Sequence, residues 1–215
     1  HCNKNRIYHI IAGGLPNFSR QAITSVALVL LNVTAARYGE SMIAALTISS
    51  RVAALAYMIM IGWAQGFQPM CAMNYGAEQY DRVKKAFIIT VAVGTIFLTA
   101  ASIILFFFAE HCIGLMSADD EVVSAGVTIL RMQCFSLPFL AFFAASSMLM
   151  QNIGKYLSAL FISVSRQGLF FIPLLYILSA LYGKTGIYLL QPICDFLSFL
   201  LAVGVVYKTA RNPSR

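Results

Sequence analysis

A chain of 215 residues that is 60% hydrophobic and only 11% charged, with a mean hydropathy of +0.78, lies far from the roughly half-apolar, quarter-charged composition of soluble globular domains. That excess excludes a soluble domain, and the net charge of +7 sorts by position along the chain rather than gathering into a nucleic-acid patch. What remains is an integral membrane protein, in which each helical crossing takes about 20 apolar residues.

Six apolar segments follow in chain order, over 7–36, 42–75, 86–109, 122–154, 156–182 and 185–207. The first is interrupted by Gly13-Gly14 and Pro16, the second by Gln65, Gln68 and Pro69, and the third carries no charge at all. Their lengths and their Leu, Ala, Met and Phe content fit helices, which satisfy every backbone group internally. The alternating ten-residue segments of a β-barrel are absent. The fold expectation is all-α: an integral membrane bundle of six transmembrane helices. Gly76 is expected to close the second helix as its C′ residue. The opening His1-Cys2 reads as the interior of a longer chain.

Lys4, Arg6, Arg82, Lys84, Lys85, Lys155, Lys208, Arg211 and Arg215 all fall on alternate ends of these segments, nine of the 15 basic residues. The opposite loops hold Arg37 and Lys184 beside Glu40, Glu110, Asp119, Asp120 and Glu121. By the positive-inside rule both termini lie in the cytoplasm. Tyrosines cluster at the segment ends, as an interfacial aromatic belt requires.

Five charges fall inside the segments: Arg20, Arg51, Arg131, Arg166 and Asp195. A charge at the bilayer centre costs about 2.5–3.5 kcal/mol on insertion scales and normally faces a partner or a wet cavity. At about 1.5 Å per residue, Arg166 lies about 15 Å from the cytoplasmic end, Asp195 about 18 Å and Arg20 about 20 Å. These three share a level, so Asp195 is expected to pair with Arg166 or with Arg20, as a static link or as part of a transport path. Arg51 and Arg131 sit nearer the outer leaflet. Gln65 and Gln68, at i and i+3, share one helix face, and proline and glycine breaks at membrane depth are tolerated where they line a cavity. Most of the serines and threonines read as helix–helix glue. The scattered cysteines read as small hydrophobic residues.

The run Gln65-Gly66-Phe67-Gln68-Pro69 followed by Asn74-Tyr75-Gly76-Ala77 resembles a signature of the multidrug and toxic compound extrusion (MATE) family. Gly14-Leu15-Pro16 with Arg20-Gln21, Gln151-Asn152-Ile153-Gly154-Lys155, Ser165-Arg166-Gln167 with Ile172-Pro173-Leu174, and Gln191-Pro192 with Asp195 extend the likeness over nearly the whole chain. The resemblance implies one lobe of a twelve-helix transporter, residues 1–215 forming its C-terminal six-helix half. It implies antiport in the cell membrane, coupled to Na⁺ or H⁺ with no other cofactor, that exports drugs or toxic organic compounds. The implied partners are the lipid bilayer, an N-terminal six-helix lobe and a small organic, cationic substrate. Arg20, Gln21, Thr24, Gln65, Gln68 and Gln151 are the expected substrate path, and Asp195 with Arg166 the candidate ion site or charge pair. Relatives with coupling carboxylates in this half would carry them near Thr24 and Leu140, which leaves the missing half or Asp195 to supply that acid.

Two alternatives stand beside this reading, a lipid-linked oligosaccharide flippase of the same superfamily and an accessory membrane subunit. An intramembrane enzyme is not expected, because no Ser-His pairing, paired midplane aspartates or HExxH motif is present. The topology has a direct test. In a background stripped of native cysteines, Lys84→Cys is expected to react with a membrane-impermeant maleimide only from the cytoplasmic side and Asp120→Cys only from outside. Labelling of the Lys84→Cys site in intact cells would reverse the orientation.

Overall fold

The computed structural model describes residues 4–211. Within them the chain is helical from end to end. Helix α1 spans Lys4–Ala35 and passes through a short 3₁₀ turn, Ala36–Tyr38, into α2, Glu40–Gly76. Helix α3 spans Tyr80–Phe107 and is followed by the short α4, Ala109–Gly114. Helices α5, Asp120–Cys134, and α6, Phe139–Asn152, form a broken pair. Helix α7, Tyr156–Val164, runs through a π-helical turn, Ser165–Phe170, into α8, Phe171–Tyr182. Helix α9 spans Lys184–Arg211.

Five stretches of the described residues are long and apolar enough to cross a bilayer: 18–38, 40–76, 80–107, 156–182 and 184–209. The α5–α6 pair, bent by 58° at its break, makes a sixth candidate crossing when taken as one broken span. Each of the six segments read from the sequence thus falls on one of these five helices or on the bent pair. The breaks in helical hydrogen bonding within spans lie away from the Gly13-Gly14-Pro16 run and Pro69. Helix α1 runs as one helix through Gly13-Gly14 and Pro16, and α2 runs as one helix through Pro69. The break lies at residues 135–138, where Pro138 has no N–H to give the preceding turn. The chain there closes through tight turns, Ser136 N–H to the Gln133 carbonyl at 3.0 Å and Phe139 N–H to that of Ser136 at 3.1 Å.

The helix ends show their own local causes. Asp119 caps α5, its carboxylate accepting the Glu121 N–H at 2.9 Å, and Asp120 and Glu121 complement the positive end of the helix dipole. Gly154 follows α6 with φ +79°, and Lys155 N–H reaches the Met150 carbonyl at 2.9 Å. That is the left-handed closure glycine makes cheaply. At the end of α2 the expectation fails: Gly76 is still helical, and the left-handed residue is Glu78, φ 57°. The closing bond, Gln79 N–H to the Asn74 carbonyl at 2.8 Å, holds Glu78 there.

Helix α2 is the hub, packed on α3, α5 and α6, while α1 lies along α7 and α8, and α9 along α6, α8 and the π turn. One buried cluster joins Met60, Leu98, Ile113, Leu130 and Leu140 across α2–α6. A second joins Ala27, Phe171, Leu175, Leu190 and Cys194 across α1, α8 and α9. A third joins Phe143, Met150, Ala159, Ile162 and Ala202 across α6, α7 and α9. Alanine recurs at these contacts because helices in lipid associate by close approach rather than by water exclusion. Ser49 Oγ lies 2.7 Å from the Ala45 carbonyl and 2.9 Å from that of Gly126, tying α2 to α5. Ser147 and Ser163 hydroxyls meet at 2.8 Å, tying α6 to α7. Large apolar side chains such as Leu55, Ile96, Phe107 and Leu181 point outward, as lipid contact requires and water would not tolerate.

The tightest approach is at the α8–α9 turn, where a Cβ built on Gly186 collides with the backbone carbonyl of Leu178. Around Gly204, in the same helix, nothing lies within 4 Å. Gly186→Ala is therefore expected to lower stability by about 1–3 kcal/mol, while Gly204→Ala raises it by up to about 1 kcal/mol through helix propensity. Thermal denaturation of the purified protein in detergent checks both; equal shifts would contradict the close packing.

Candidate functional site

The site is built around a carboxylate that lipid cannot accommodate alone. Asp195 lies on α9, only 1% exposed. Its Oδ1 accepts the Arg166 Nε–H at 2.6 Å and the Gln191 Nε2–H at 3.1 Å. Its Oδ2 accepts the Ser136 hydroxyl at 2.7 Å. Gln191 stands one turn before Asp195 on the same helix, so their spacing alone brings them together. Arg166 is carried by the π turn and Ser136 by the α5–α6 break. The two interruptions in otherwise regular spans therefore converge on one carboxylate. Single π turns inside α-helices are frequent at functional positions.

Arg166 also lies over the Tyr57 ring, 5.4 Å from its centroid, close enough for a cation–π contact. Tyr57, Arg166, Asp195, Ser136 and Gln133 line a cavity of about 270 Å³, together with Thr24, Ser50, Gln167, Gln191 and Leu140. Gln133 is 7% exposed, and its Oε1 has no hydrogen-bond partner. A second cavity, about 120 Å³, shares Tyr57 with the first and is lined by Arg20, Gln65, Gln68, Gln151 and Ser147 with Ile61, Phe143 and Met148.

The sequence-derived residues divide between these spaces. Arg166, Asp195 and Thr24 meet in the larger cavity. Arg20, Gln65, Gln68 and Gln151 meet in the smaller one. Of the two partners considered for Asp195, the structure pairs it with Arg166. Gln21 is exposed and lines neither of the two cavities, because the next residue on a helix turns about 100° away from Arg20. The Thr24 hydroxyl bonds back to the Arg20 carbonyl at 2.7 Å. Thr24 and Leu140, where some relatives would carry acids, both face the cavity that Asp195 lines. Arg131 stands 3.8 Å from Glu110 and 5.5 Å from the Phe106 ring, and Arg51 is exposed on α2.

Tyr57, Ser136 and Gln191 were not singled out as site residues. Gln191 is the one with a readable signal, an amide four residues before a mid-membrane acid. Tyr57 lies within an apolar run, and Ser136 is reached only through the break.

A buried ion pair stripped of one partner costs about 3–5 kcal/mol, whereas replacing both with apolar residues is often neutral. Asp195→Leu and Arg166→Leu are each expected to depress the melting temperature and yield of the protein. The double replacement is expected to recover most of the loss. A double variant whose loss equals the sum of the two singles would show the pair to be uncoupled.

Comparison with known proteins gives the family. The MatE family model matches residues 16–177. The chain is 29% identical over 206 residues to the multidrug export protein MepA of Staphylococcus aureus (strain NCTC 8325 / PS 47), covering 95% of this chain and 45% of that protein. It is 26% identical over 204 residues to the Staphylococcus saprophyticus MepA, again covering 95% and 45%. Among solved structures, the MATE multidrug transporter DinF-BH in complex with R6G superposes with a TM-score of 0.84 at 31% identity, over 97% of this chain and 48% of that one. A MOP superfamily transporter from Pyrococcus furiosus superposes with a TM-score of 0.92 at 18% identity, over 100% and 49%, and shares the fold. The chain spans about half the length of each of these relatives. With five helices and a bent pair of crossing length among the described residues, and this match over most of its length, the chain is a multi-pass membrane protein that belongs to the MATE family of transporters.

Proposed function

We propose that the chain is the C-terminal lobe, helices seven to twelve, of a cation-coupled antiporter that exports small toxic organic compounds across the cell membrane. In this reading residues 1–215 form one unit with both termini in the cytoplasm, working with an N-terminal six-helix lobe in the same bilayer. The observation that carries it is the pair of cavities that share Tyr57 and gather Arg20, Arg166, Asp195 and several glutamines within a bundle whose outer surface is apolar. The relatives named as multidrug exporters support the same conclusion.

Asp195 acts in this reading as the charge partner that lets Arg166 sit in the larger cavity. Both of its oxygens are occupied by donors, so the acid that binds the coupling Na⁺ or H⁺, and the acid that meets a cationic substrate, belong to the other lobe. An oligosaccharide flippase would call for several uncommitted cavity arginines to hold pyrophosphate. Among the described cavity-lining residues Arg166 is neutralised by Asp195, which leaves Arg20.

Cells expressing the full-length transporter are expected to accumulate less fluorescent dye than control cells. Collapsing either the Na⁺ or the H⁺ gradient is expected to abolish that difference, and collapsing the other to leave it intact. Efflux that survives loss of both gradients would overturn the coupled-antiport reading.

A further inference from the structure

Arg20 lies on α1 and lines the smaller cavity, and a guanidinium within a membrane span normally faces a partner or a wet cavity. Among the described residues it has no ion-pair partner; Asp195, the acid at its level, is committed to Arg166, Gln191 and Ser136. Arg20 is the one formally charged residue lining the smaller cavity. The rest of that wall combines amides and a hydroxyl, from Gln65, Gln68, Gln151 and Ser147, with apolar groups from Ile61, Phe143 and Met148. In the adjoining cavity Arg166 and Asp195 cancel, so Arg20 sets the sign of the field where the two spaces meet at Tyr57.

We propose that the smaller cavity is an anion-accepting subsite that takes the carboxylate of an aromatic or otherwise amphipathic substrate. This rests on the exporter reading above and adds the substrate class of this wall. A guanidinium offers a flat fork of N–H donors that matches a carboxylate two-for-two. Glutamine amides supply further N–H donors around it. A cavity of about 120 Å³ holds the anionic end and a few carbons, and Ile61, Phe143 and Met148 meet the first atoms of the apolar skeleton. A substrate with a carboxylate at this wall and a cationic group at the acids of the other lobe would be held at both ends.

The test uses the full-length transporter in phosphatidylcholine nanodiscs and two probes of one skeleton, a xanthene dye with a free carboxyl and its ethyl ester. The wild type is expected to bind the acid at least about ten-fold more tightly than the ester, the value of one charge-assisted contact. Arg20→Gln is expected to erase that preference, and Arg20→Lys, which keeps the charge without the fork, to retain part of it. An acid-to-ester ratio that Arg20→Gln leaves unchanged would overturn the proposal. So would equal weakening of both probes, which would mark Arg20 as a structural partner of an acid in the other lobe. Loss of the preference on moving to phosphatidylglycerol nanodiscs would assign the site to a lipid headgroup phosphate and overturn it as well. A wild type that binds the acid preferentially yet exports neither dye would retire the exporter reading and leave the subsite standing. Export with no preference for the acid would retire the subsite alone.

Discussion

A carboxylate in the hydrocarbon layer must be surrounded by donors or lose its charge, and that demand on Asp195 organises the middle of this bundle. Its three donors come from its own helix, from the π turn and from the α5–α6 break. A regular α-helix through residues 165–170 would turn Arg166 to a different azimuth. A straight span through 135–138 would move Ser136 off the α9 face. The two local departures from ideal geometry thus serve one electrostatic requirement, and together they hold open the space between α1, α2, α6 and α9.

Irregular backbone inside a membrane is tolerated where protein or water, not lipid, satisfies it. Both irregular stretches meet that condition: Ser136, Leu137, Arg166 and Gln167 all line the larger cavity. Gln133, just ahead of the break, keeps a buried amide oxygen without a protein partner. Elsewhere the bundle is held by the means open to helices in lipid. Alanine contacts allow close approach, and serine and threonine hydroxyls bond back to carbonyls one turn earlier or across to a neighbour. The serines and threonines read as glue from the sequence have that role in Ser49 and in the Ser147–Ser163 pair.

Much of the fold was legible because lipid imposes a coarse rule, apolar runs of fixed length, that composition alone reveals. The Asp195–Arg166 pair was legible for a related reason: depth along a helix follows from residue count, and only groups at one depth can meet. Azimuth was less accessible. Gln21 read as part of the path beside Arg20, yet it is exposed and lines neither of the two cavities. The break at 135–138 went unread because Pro69 and the Gly13-Gly14-Pro16 run carry the same symbols as Pro138, and only packing decides which of them interrupts a helix. The π turn has no signature in its six residues; it exists because Arg166 must reach a partner on α9. At Gly76 the usual glycine rule pointed two residues early, since the bond from Gln79 to Asn74 holds a glutamate in the left-handed region instead.

Tyr57 gives this arrangement a further property. Taken singly, the spaces of about 270 and 120 Å³ both fall short of the roughly 300–1,000 Å³ typical of chambers that enclose a drug-sized molecule. The half-buried Tyr57 phenol is the one residue that lines both. A movement of that ring that joined them would give a single vestibule within that range, and the Arg166 guanidinium stacked over it opposes such a movement.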